Sequence, residues 1–133
     1  MNAERQTMDS DDPGTNAITK VIMGCAFKVM NTLGHGFLEK VYENALVREL
    51  QNRGLSVTQQ RGFTVIYDGI PVGQYIVDLL VEDSVIIELK TVEALNKAHI
   101  GQCLNYLRTT GIKLCLLMNF GQPRVEIRRI ING

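Results

Sequence analysis

The sequence predicts one α/β domain of the α+β type, in which a mixed central β-sheet is flanked by helices. Two amphipathic helical patterns come first, three short strand patterns follow, and a third helical pattern separates them from two further strands. A helix between two apolar strands is typical of a crossover that joins parallel neighbours. The predicted order is therefore α-α-β-β-β-α-β-β, with parallel and antiparallel strands in one sheet.

The two leading helices are indicated by apolar residues at helical spacing. Asn16 is predicted to cap the first helix and Gly34 to end it, and the second helix is predicted over residues 37–53. Residues 1–15 are polar and without periodicity, which is typical of a disordered leader. The single folded domain is accordingly predicted over residues 16–133.

The strands are indicated by apolar, β-branched runs between turn residues. Strands are predicted at residues 63–67, 72–81, 85–90, 113–120 and 124–131, with the third helix over residues 94–110. Asp68 and Gly69 form the dipeptide most typical of a two-residue hairpin turn. The run at 113–120 is apolar throughout, so we expect this strand to be covered on both faces.

Composition is that of an ordinary globular protein. The chain has 133 residues, 45% of them hydrophobic and 21% charged, and this length allows a substantial core. The formal net charge of zero excludes an overall basic field, so a nucleic-acid-binding protein of this composition needs a local basic patch or a bound cation. No apolar run has transmembrane length and no signal-peptide pattern is visible, which predicts a cytoplasmic protein with no membrane partner.

The three cysteines all lie in apolar segments, at Cys25, Cys103 and Cys115. An odd number in such positions indicates buried, reduced thiols and an intracellular setting. Their spacing does not match a zinc site.

The most informative feature is a group of charges inside the apolar strands. Asp78 lies in one predicted strand, and Glu88 and Lys90 lie in the next, with polar residues 82–84 between them. Ionised groups in buried strands are unfavourable unless they are paired or bound to a cation. Three of them on neighbouring strands indicate a metal-binding, hydrolytic site. The alternative is an amphipathic hairpin whose polar face is simply solvated.

The alternation of side chains makes the metal-site hypothesis depend on the length of the loop. If residues 82–84 all form the loop, Asp78 opposes Glu88 and the three charges converge on one face of the hairpin. A two-residue turn would place Asp78 opposite Ile87 and turn Glu88 to the other face. The metal-site hypothesis therefore predicts a three-residue loop.

Motifs outside the hairpin add a resemblance to a known family. Residues 36–42, GFLEKVY, fit the G-x-x-E-x-x-Y signature of the GxxExxY family, which resembles the PD-(D/E)XK nuclease superfamily. Asp78 is similar to the hairpin aspartate of that superfamily, with Val77 where the name has proline, and residues 88–90 match its E-x-K. Residues 102–106, QCLNY, resemble a Q-x-x-x-Y motif of the exonuclease-like branch.

The resemblance covers roughly residues 18–131 and implies a PD-(D/E)XK nuclease-like αβββαβ core. It also implies a divalent-metal-dependent nuclease that hydrolyses phosphodiester bonds of nucleic acid, DNA more than RNA, with Mg²⁺ or Mn²⁺ as cofactor. The alternative function is a catalytically weak or silent nuclease-fold module that binds nucleic acid or protein. A homodimer or a protein partner would supply binding surface that the neutral chain lacks, and the edge of the last strand is one place for a second copy.

The resemblance implies a set of metal ligands. Asp78, Glu88 and the backbone carbonyl of Leu89 are expected to bind the cation, because Mg²⁺ and Mn²⁺ prefer hard oxygen ligands. Glu39, the glutamate of the signature, is the expected helix carboxylate that completes the site. Glu43 lies four residues later on the same helix face and is a weaker candidate.

The other expected site residues would act on the phosphate or the water. Lys90 is expected to orient the attacking water or to stabilise charge on the phosphate. Gln102 would bind a phosphate, a water or Lys90, and Tyr106 is either a supporting residue or a core residue with a satisfied hydroxyl. His99 is either a contact to the phosphate backbone or a capped or solvent-facing imidazole.

Overall fold

The computed structural model describes residues 13–132, and these residues have the predicted order of elements. The helices and strands are α1 (Pro13–Leu33), α2 (Glu39–Asn52), β1 (Val57–Tyr67), β2 (Ile70–Val81), β3 (Val85–Lys90), α3 (Lys97–Thr110), β4 (Leu114–Asn119) and β5 (Glu126–Ile131). The α+β prediction is confirmed.

The five strands form one sheet in the order β1-β2-β3-β4-β5. Strands β3 and β4 run parallel, and the other neighbouring pairs are antiparallel. The mixed sheet is therefore confirmed, and α3 is the connection between its two parallel strands.

The two faces of the sheet carry separate hydrophobic clusters. On one face, Ile22 of α1 and Leu46 of α2 belong to the same cluster as Leu116 of β4. On the other face, Leu107 of α3 packs with Leu117 of β4. Every residue of β4 is buried, as expected for a continuous apolar run between two helical layers.

The start of α1 differs from the prediction. The helix begins at Pro13, so residues 13–15 are helical rather than part of a leader, and Asn16 lies inside the first turn instead of capping it. Proline is tolerated in the first turn because its missing N–H would have no intrahelical acceptor there. Residues 1–12 of the predicted leader lie outside the described residues.

Strand β1 begins at Val57, six residues before the predicted start. Its polar first half pairs in register with β2, and this pairing is a tertiary contact that no apolar alternation indicated. The turn at Asp68 and Gly69 is confirmed, since both residues have positive φ (53° and 74°) and join the paired residues Tyr67 and Ile70.

Two further predictions concern the whole chain. Cys25, Cys103 and Cys115 are all free and buried, as predicted. Within residues 13–132, no helix combines the length and the apolar character that a membrane crossing requires.

Candidate functional site

The loop between β2 and β3 has three residues, as the metal-site hypothesis requires. Val81 pairs with Val85, and the N–H of Ser84 closes the loop by donating to the carbonyl of Val81 at 3.0 Å. The β2–β3 ladder then continues only to Leu79 and Ile87. Backbone pairing therefore stops one residue before Asp78 and Glu88.

Where the β2–β3 ladder ends, carboxylate oxygens instead of backbone carbonyls accept the hydrogen bonds of the backbone N–H groups. The N–H of Asp78 donates to Oε1 of Glu88 at 3.2 Å, and the N–H of Leu89 donates to Oδ2 of Asp78 at 2.8 Å. Each acidic side chain thus binds the backbone of the opposite strand. The two carboxylates are held next to each other by these reciprocal bonds.

The backbone is also irregular on the other side of Asp78, where Gln60 of β1 faces it. Gln60 has a φ of 52°, a conformation that non-glycine residues rarely adopt, although the β1–β2 ladder is in register on both sides of it. Val77 and Leu80 pack in the α3-side cluster, whereas Leu79 packs in the opposite one. The alternation of β2 side chains between the two faces of the sheet is therefore interrupted at Asp78.

Glu88 is buried, with 5% of its surface exposed. Its burial, then the neighbouring charge of Asp78 and, least, that of Glu39 raise its pKa, which lies at about 8. The Asp78 N–H and Lys90 oppose this shift. The solvated-hairpin alternative is wrong for Glu88, because a solvated carboxylate would not be buried.

Asp78 and Glu39 share the environment of Glu88. Burial raises the pKa of Asp78, with the Leu89 N–H as the main opposing influence. Burial and then the charge of Asp78 raise the pKa of Glu39, which is the first residue of α2, and Lys90 lowers it. The three acids and Lys90 therefore act on one another electrostatically, as the hypothesis of a common site expects.

Lys90 is half-buried at the end of β3. Its Nζ donates to Oε1 of Gln102 on α3 at 3.1 Å. Of the three partners expected for Gln102, the structure shows Lys90. The amide oxygen fixes the direction of the ammonium group without neutralising its charge.

The chain that leaves Lys90 is held by the end of β4. The N–H of Phe120 donates to the carbonyl of Lys90 at 2.8 Å, and the amide of Asn119 binds both the N–H (3.0 Å) and the carbonyl (2.9 Å) of Val92. Gly121 packs so closely on this segment that a Cβ would lie 2.4 Å from the Val92 oxygen. This clasp was not predicted, because its only signal in the sequence is an asparagine at the end of an apolar strand.

Tyr42 of the signature has a packing role. It is fully buried, its ring stacks on Phe120 with centroids 4.8 Å apart, and its hydroxyl donates to the carbonyl of Gly34 at 2.6 Å. The hydroxyl also accepts the N–H of Phe37 at 3.2 Å. Tyr42 therefore fixes the loop between α1 and α2, and with it the position of Glu39.

Glu43 is buried and already has protein partners. Its carboxylate accepts hydrogen bonds from Lys40 at 2.9 Å, from Gln59 at 2.9 Å and from Gln60 at 3.0 Å. Burial alone would raise its pKa, but the bonds from Gln60, Gln59 and Lys40 outweigh it, so the pKa lies below its usual value. Glu43 ties α2 to β1.

Gln60 was not among the predicted site residues. Its Nε2 also lies 3.3 Å from Oδ1 of Asp78, so one side-chain amide joins Glu43 to the hairpin site. A polar Gln-Gln pair ahead of the predicted strand is the only trace of this role in the sequence.

The remaining two candidates are placed as follows. The N–H of His99 donates to Oδ1 of Asn96, and Nδ1 of His99 accepts the Asn96 N–H, both at 3.1 Å, so His99 is part of the N-terminal capping box of α3. Burial and then Lys90 lower the pKa of His99.

Tyr106 is buried in the α3-side cluster and makes an edge-to-face contact with Tyr75 at 5.4 Å. Burial raises its pKa.

The described residues offer a divalent cation two adjacent carboxylate ligands rather than a complete coordination sphere. Among residues 13–132, no three His, Cys, Asp or Glu side chains lie close enough together to hold a metal ion. Asp78 and Glu88 are adjacent, and burial, which is the main cause, raises the pKa of both. Hard oxygen donors with uncompensated charge are suited to Mg²⁺ or Mn²⁺, which keep several waters as ligands. The role of the Leu89 carbonyl stays a prediction.

Comparison with known proteins relates the sequence to a nuclease superfamily. A family model described as the PD-(D/E)XK nuclease superfamily matches residues 16–130. No curated protein matches the sequence significantly. The GxxExxY family stays a prediction from residues 36–42.

Two solved structures share the fold. SSO0001 superposes with a TM-score of 0.56 at 18% identity, over 97% of this chain and 62% of that one. An alkaline exonuclease (LHK-Exo) from Laribacter hongkongensis gives a TM-score of 0.53 at 16% identity, over 93% of this chain and 72% of that one. The chain thus spans less than two thirds of the length of SSO0001.

Proposed function

Because the chain belongs to the PD-(D/E)XK nuclease superfamily, we propose that it is a divalent-metal-dependent nuclease that hydrolyses phosphodiester bonds of DNA. The observation that carries the proposal is the buried carboxylate of Glu88, whose pKa is raised to about 8 beside Asp78. Such a pair is unfavourable in its ionised form unless a cation binds it. Superfamily membership supports nucleic acid as the substrate, and DNA is the choice that the sequence resemblance implies.

In this proposal Asp78 and Glu88 hold Mg²⁺ or Mn²⁺. A divalent cation bound there supplies Lewis-acid stabilisation of negative charge on the phosphate. Glu39 approaches from the first turn of α2 and adds a third negative charge to the site. The bonds from Leu89 N–H to Asp78 and from Asp78 N–H to Glu88 keep the two ligands oriented before the cation arrives.

Lys90 contributes a fixed positive charge toward the phosphate. Gln102 orients the ammonium through the bond to its amide oxygen, and the clasp of Asn119 on Val92 fixes the backbone that follows Lys90. A positioned cation of this kind stabilises negative charge that develops in the transition state. Tyr106 and His99 support α3 by packing and capping, without contact to the substrate.

A second candidate function is a catalytically silent nuclease-fold module that binds nucleic acid or protein. Two observations favour it. Both oxygens of Asp78 accept protein hydrogen bonds, from Leu89 and Gln60, and residues 13–132 contain no ready three-residue metal cluster. In this candidate, protein donors occupy the positions where a cation would bind.

The setting proposed for the enzyme is the cytoplasm. The three free, buried cysteines are consistent with a reducing compartment. Since the chain has no net charge, we propose that additional surface from a second copy or a protein partner assists binding of the polyanion.

The test combines cleavage with metal binding. Wild type, Glu88→Gln, Lys90→Ala and the control Glu93→Gln, an exposed carboxylate in the loop after β3, are incubated with Mg²⁺ or Mn²⁺. The substrates are linear, nicked, branched and single-stranded DNA, together with RNA of the same sequence. Metal-dependent thermal stabilisation at about pH 8 is measured in parallel.

Wild type and Glu93→Gln are expected to cleave DNA and to be stabilised by metal. Lys90→Ala should keep the metal-dependent stabilisation but cleave at least about 100-fold more slowly, because only the positive charge near the phosphate is lost. Glu88→Gln should lose both. Absence of cleavage by wild type, together with metal-independent nucleic-acid binding by all four proteins, would contradict the nuclease and support the silent module.

A further inference from the structure

The outer part of the β1–β2 hairpin projects from the sheet. We name it the hairpin arm and define it as residues 61–77. Strand β2 pairs with β3 only from Leu79 to Val81, and β1 is the edge strand of the sheet, so in the described structure both edges of the arm lack a strand neighbour. The base of the arm is anchored to α3 by the edge-to-face contact of Tyr75 with Tyr106.

The arm is unusually apolar for an exposed element. Six of the ten exposed large hydrophobic side chains of the described chain lie on it, and this share marks it as the main apolar surface. Between 37% and 73% of their surface is exposed, and they are Ile66, Tyr67, Ile70, Val72, Tyr75 and Ile76. Edge strands that are exposed, long and apolar favour association with another strand.

The exposed surface of the arm is large enough for a dimer. With about 150–250 Å² for each fully exposed large side chain, these fractions leave on the order of 600 Å² on one arm. An area of this size is at the upper end of the largest apolar patch of a typical monomer, and such patches are often functional. Two copies that covered all of this surface would bury about 1,200 Å², the lower end of the range for specific, stable interfaces. Pairing through β1 covers Ile66 and Tyr67 most directly, since the other four side chains lie on β2.

The charges of the arm favour a two-fold arrangement. Within residues 61–77 the charged residues are Arg61 and Asp68, at opposite ends of the β1 side. When two β1 edges lie antiparallel, the Arg61 end of one copy meets the Asp68 end of the other. A single cation on this arm offers little to a phosphate backbone, so nucleic acid is a poor occupant.

We propose that the hairpin arm is a homodimer interface, in which the β1 edges of two copies pair antiparallel across a two-fold axis near Thr64. Arg61 then lies beside Tyr67 and Asp68 of the second copy, and the two five-stranded sheets become continuous. The opposite edge, β5, is less suited to this pairing because three of its six residues, Glu126, Arg128 and Arg129, are charged. The observations that carry this interface are independent of those that carry the proposed nuclease activity.

The mass of the protein in solution tests the interface. Sedimentation equilibrium from about 1 to about 100 µM should show a two-fold dimer for wild type. Ile66→Lys should weaken it at least about 10-fold, because the ammonium group would be buried against the second copy. Leu38→Lys, at a residue that is 79% exposed but outside the arm, is the matched control and should remain dimeric.

A cysteine cross-link tests the antiparallel geometry. Thr64→Cys should form an intermolecular disulfide under mild oxidation, because residue 64 of each copy lies next to the two-fold axis. Thr58→Cys, on the same exposed strand, should not, since its two copies would lie about 40 Å apart along the paired strands. The three natural cysteines are buried and do not compete.

A monomer at the highest concentration, a dimer that Ile66→Lys leaves intact, or cross-linking equally efficient at both positions would each overturn the interface. Circular dichroism and thermal unfolding of Ile66→Lys establish that the variant is folded. If it is misfolded, the Thr64→Cys and Thr58→Cys pair decides, because both positions are exposed. Loss of the dimer with retained cleavage, or the reverse, separates this interface from the proposed function.

Discussion

Two glutamates of this molecule expose similarly small fractions of their surface, but their pKa values are shifted in opposite directions. Glu43, between α2 and β1, is 2% exposed, and Glu88, between β2 and β3, is 5% exposed. The pKa of Glu43 lies below its usual value, whereas that of Glu88 is raised to about 8. Burial raises the pKa of both, more strongly that of Glu88, which lies deeper in the fold, and the neighbours decide that the net shift of Glu43 is downward.

The neighbours of Glu43 replace the water that it loses. Lys40, Gln59 and Gln60 donate to its carboxylate, and one of these donors is a cation. Glu88 accepts from the N–H of Asp78 but lies beside the Asp78 carboxylate. The α2–β1 interface thus stabilises its own buried charge, whereas the carboxylate of Glu88 has fewer donors and lies beside a second negative charge, so its ionised form is disfavoured.

The largest expected effect concerns Glu88 and pH. Because its folded pKa of about 8 exceeds the ordinary value of 4.5, the folded state holds the proton more tightly than the unfolded state between these values. The contribution of Glu88 to stability is therefore fully present below about pH 4.5 and is lost as pH rises toward 8, which costs about 3–5 kcal/mol without metal. Urea unfolding in EDTA should show this fall for wild type.

Glu88→Gln should flatten most of this pH dependence and be more stable than wild type at pH 8, with a weaker slope left from Asp78 and Glu39. Mg²⁺ or Mn²⁺ should restore stability to wild type at pH 8 but not to the variant. Glu93→Gln serves as the control and should follow wild type. A wild-type protein whose stability in EDTA rises between pH 5 and pH 8 would contradict the contrast between Glu43 and Glu88.

A smaller effect is expected at Glu43. Glu43→Gln removes the charge that accepts the bonds from Lys40, Gln59 and Gln60, which should destabilise the fold by about 1–3 kcal/mol near neutral pH. Since the folded pKa of Glu43 is lowered, its contribution is present above the ordinary value and is lost as pH falls through the folded pKa.

The difference in unfolding free energy between wild type and Glu43→Gln should therefore shrink from pH 6 to pH 3. Metal-dependent cleavage by this variant, measured below its unfolding temperature, should fall less than about 10-fold, because Glu43 supports the site from outside. Equal stability of the two proteins at neutral pH would show that the hydrogen bonds to Glu43 contribute nothing.

The smallest effect is expected at Gln60, which joins the two regions. Gln60→Ala keeps a non-glycine residue at the positive φ but removes the donor to Glu43 and Asp78, at a cost of about 1 kcal/mol. Combined with Glu43→Gln, the two losses should be less than additive, because both remove the same bond. Gln51→Ala, on an exposed part of α2, is the control. If the losses of stability from Gln60→Ala and Glu43→Gln were strictly additive, the two side chains would not interact.

Much of the fold follows from local patterns in the sequence. Strand β3 has the predicted bounds, and β4 lies within one residue of them at each end, because both are short apolar runs that end at polar residues or glycine. The polar first half of β1 has no such pattern. It becomes a strand because β2 lies beside it and offers its backbone donors and acceptors.

The candidate site likewise has residues that the sequence predicted and residues that it did not. Asp78, Glu88 and Lys90 were identifiable because charges in apolar strands are exceptional, and the three-residue loop followed from side-chain parity. Gln60 and Asn119 were not, because an amide in a strand carries no local signal until its partner is known. Glu43 was expected as a weaker ligand and instead binds Lys40, Gln59 and Gln60.

The sequence by itself determined the order of the elements, the hairpin loop of residues 82–84 and the placing of acidic residues within two neighbouring strands. These depend on neighbours within a few positions, where periodicity and turn chemistry act. Only the tertiary structure decided which buried acid has its charge satisfied. That depends on donors from α2 and β1, which lie far from the hairpin in sequence and meet it only when the sheet is assembled.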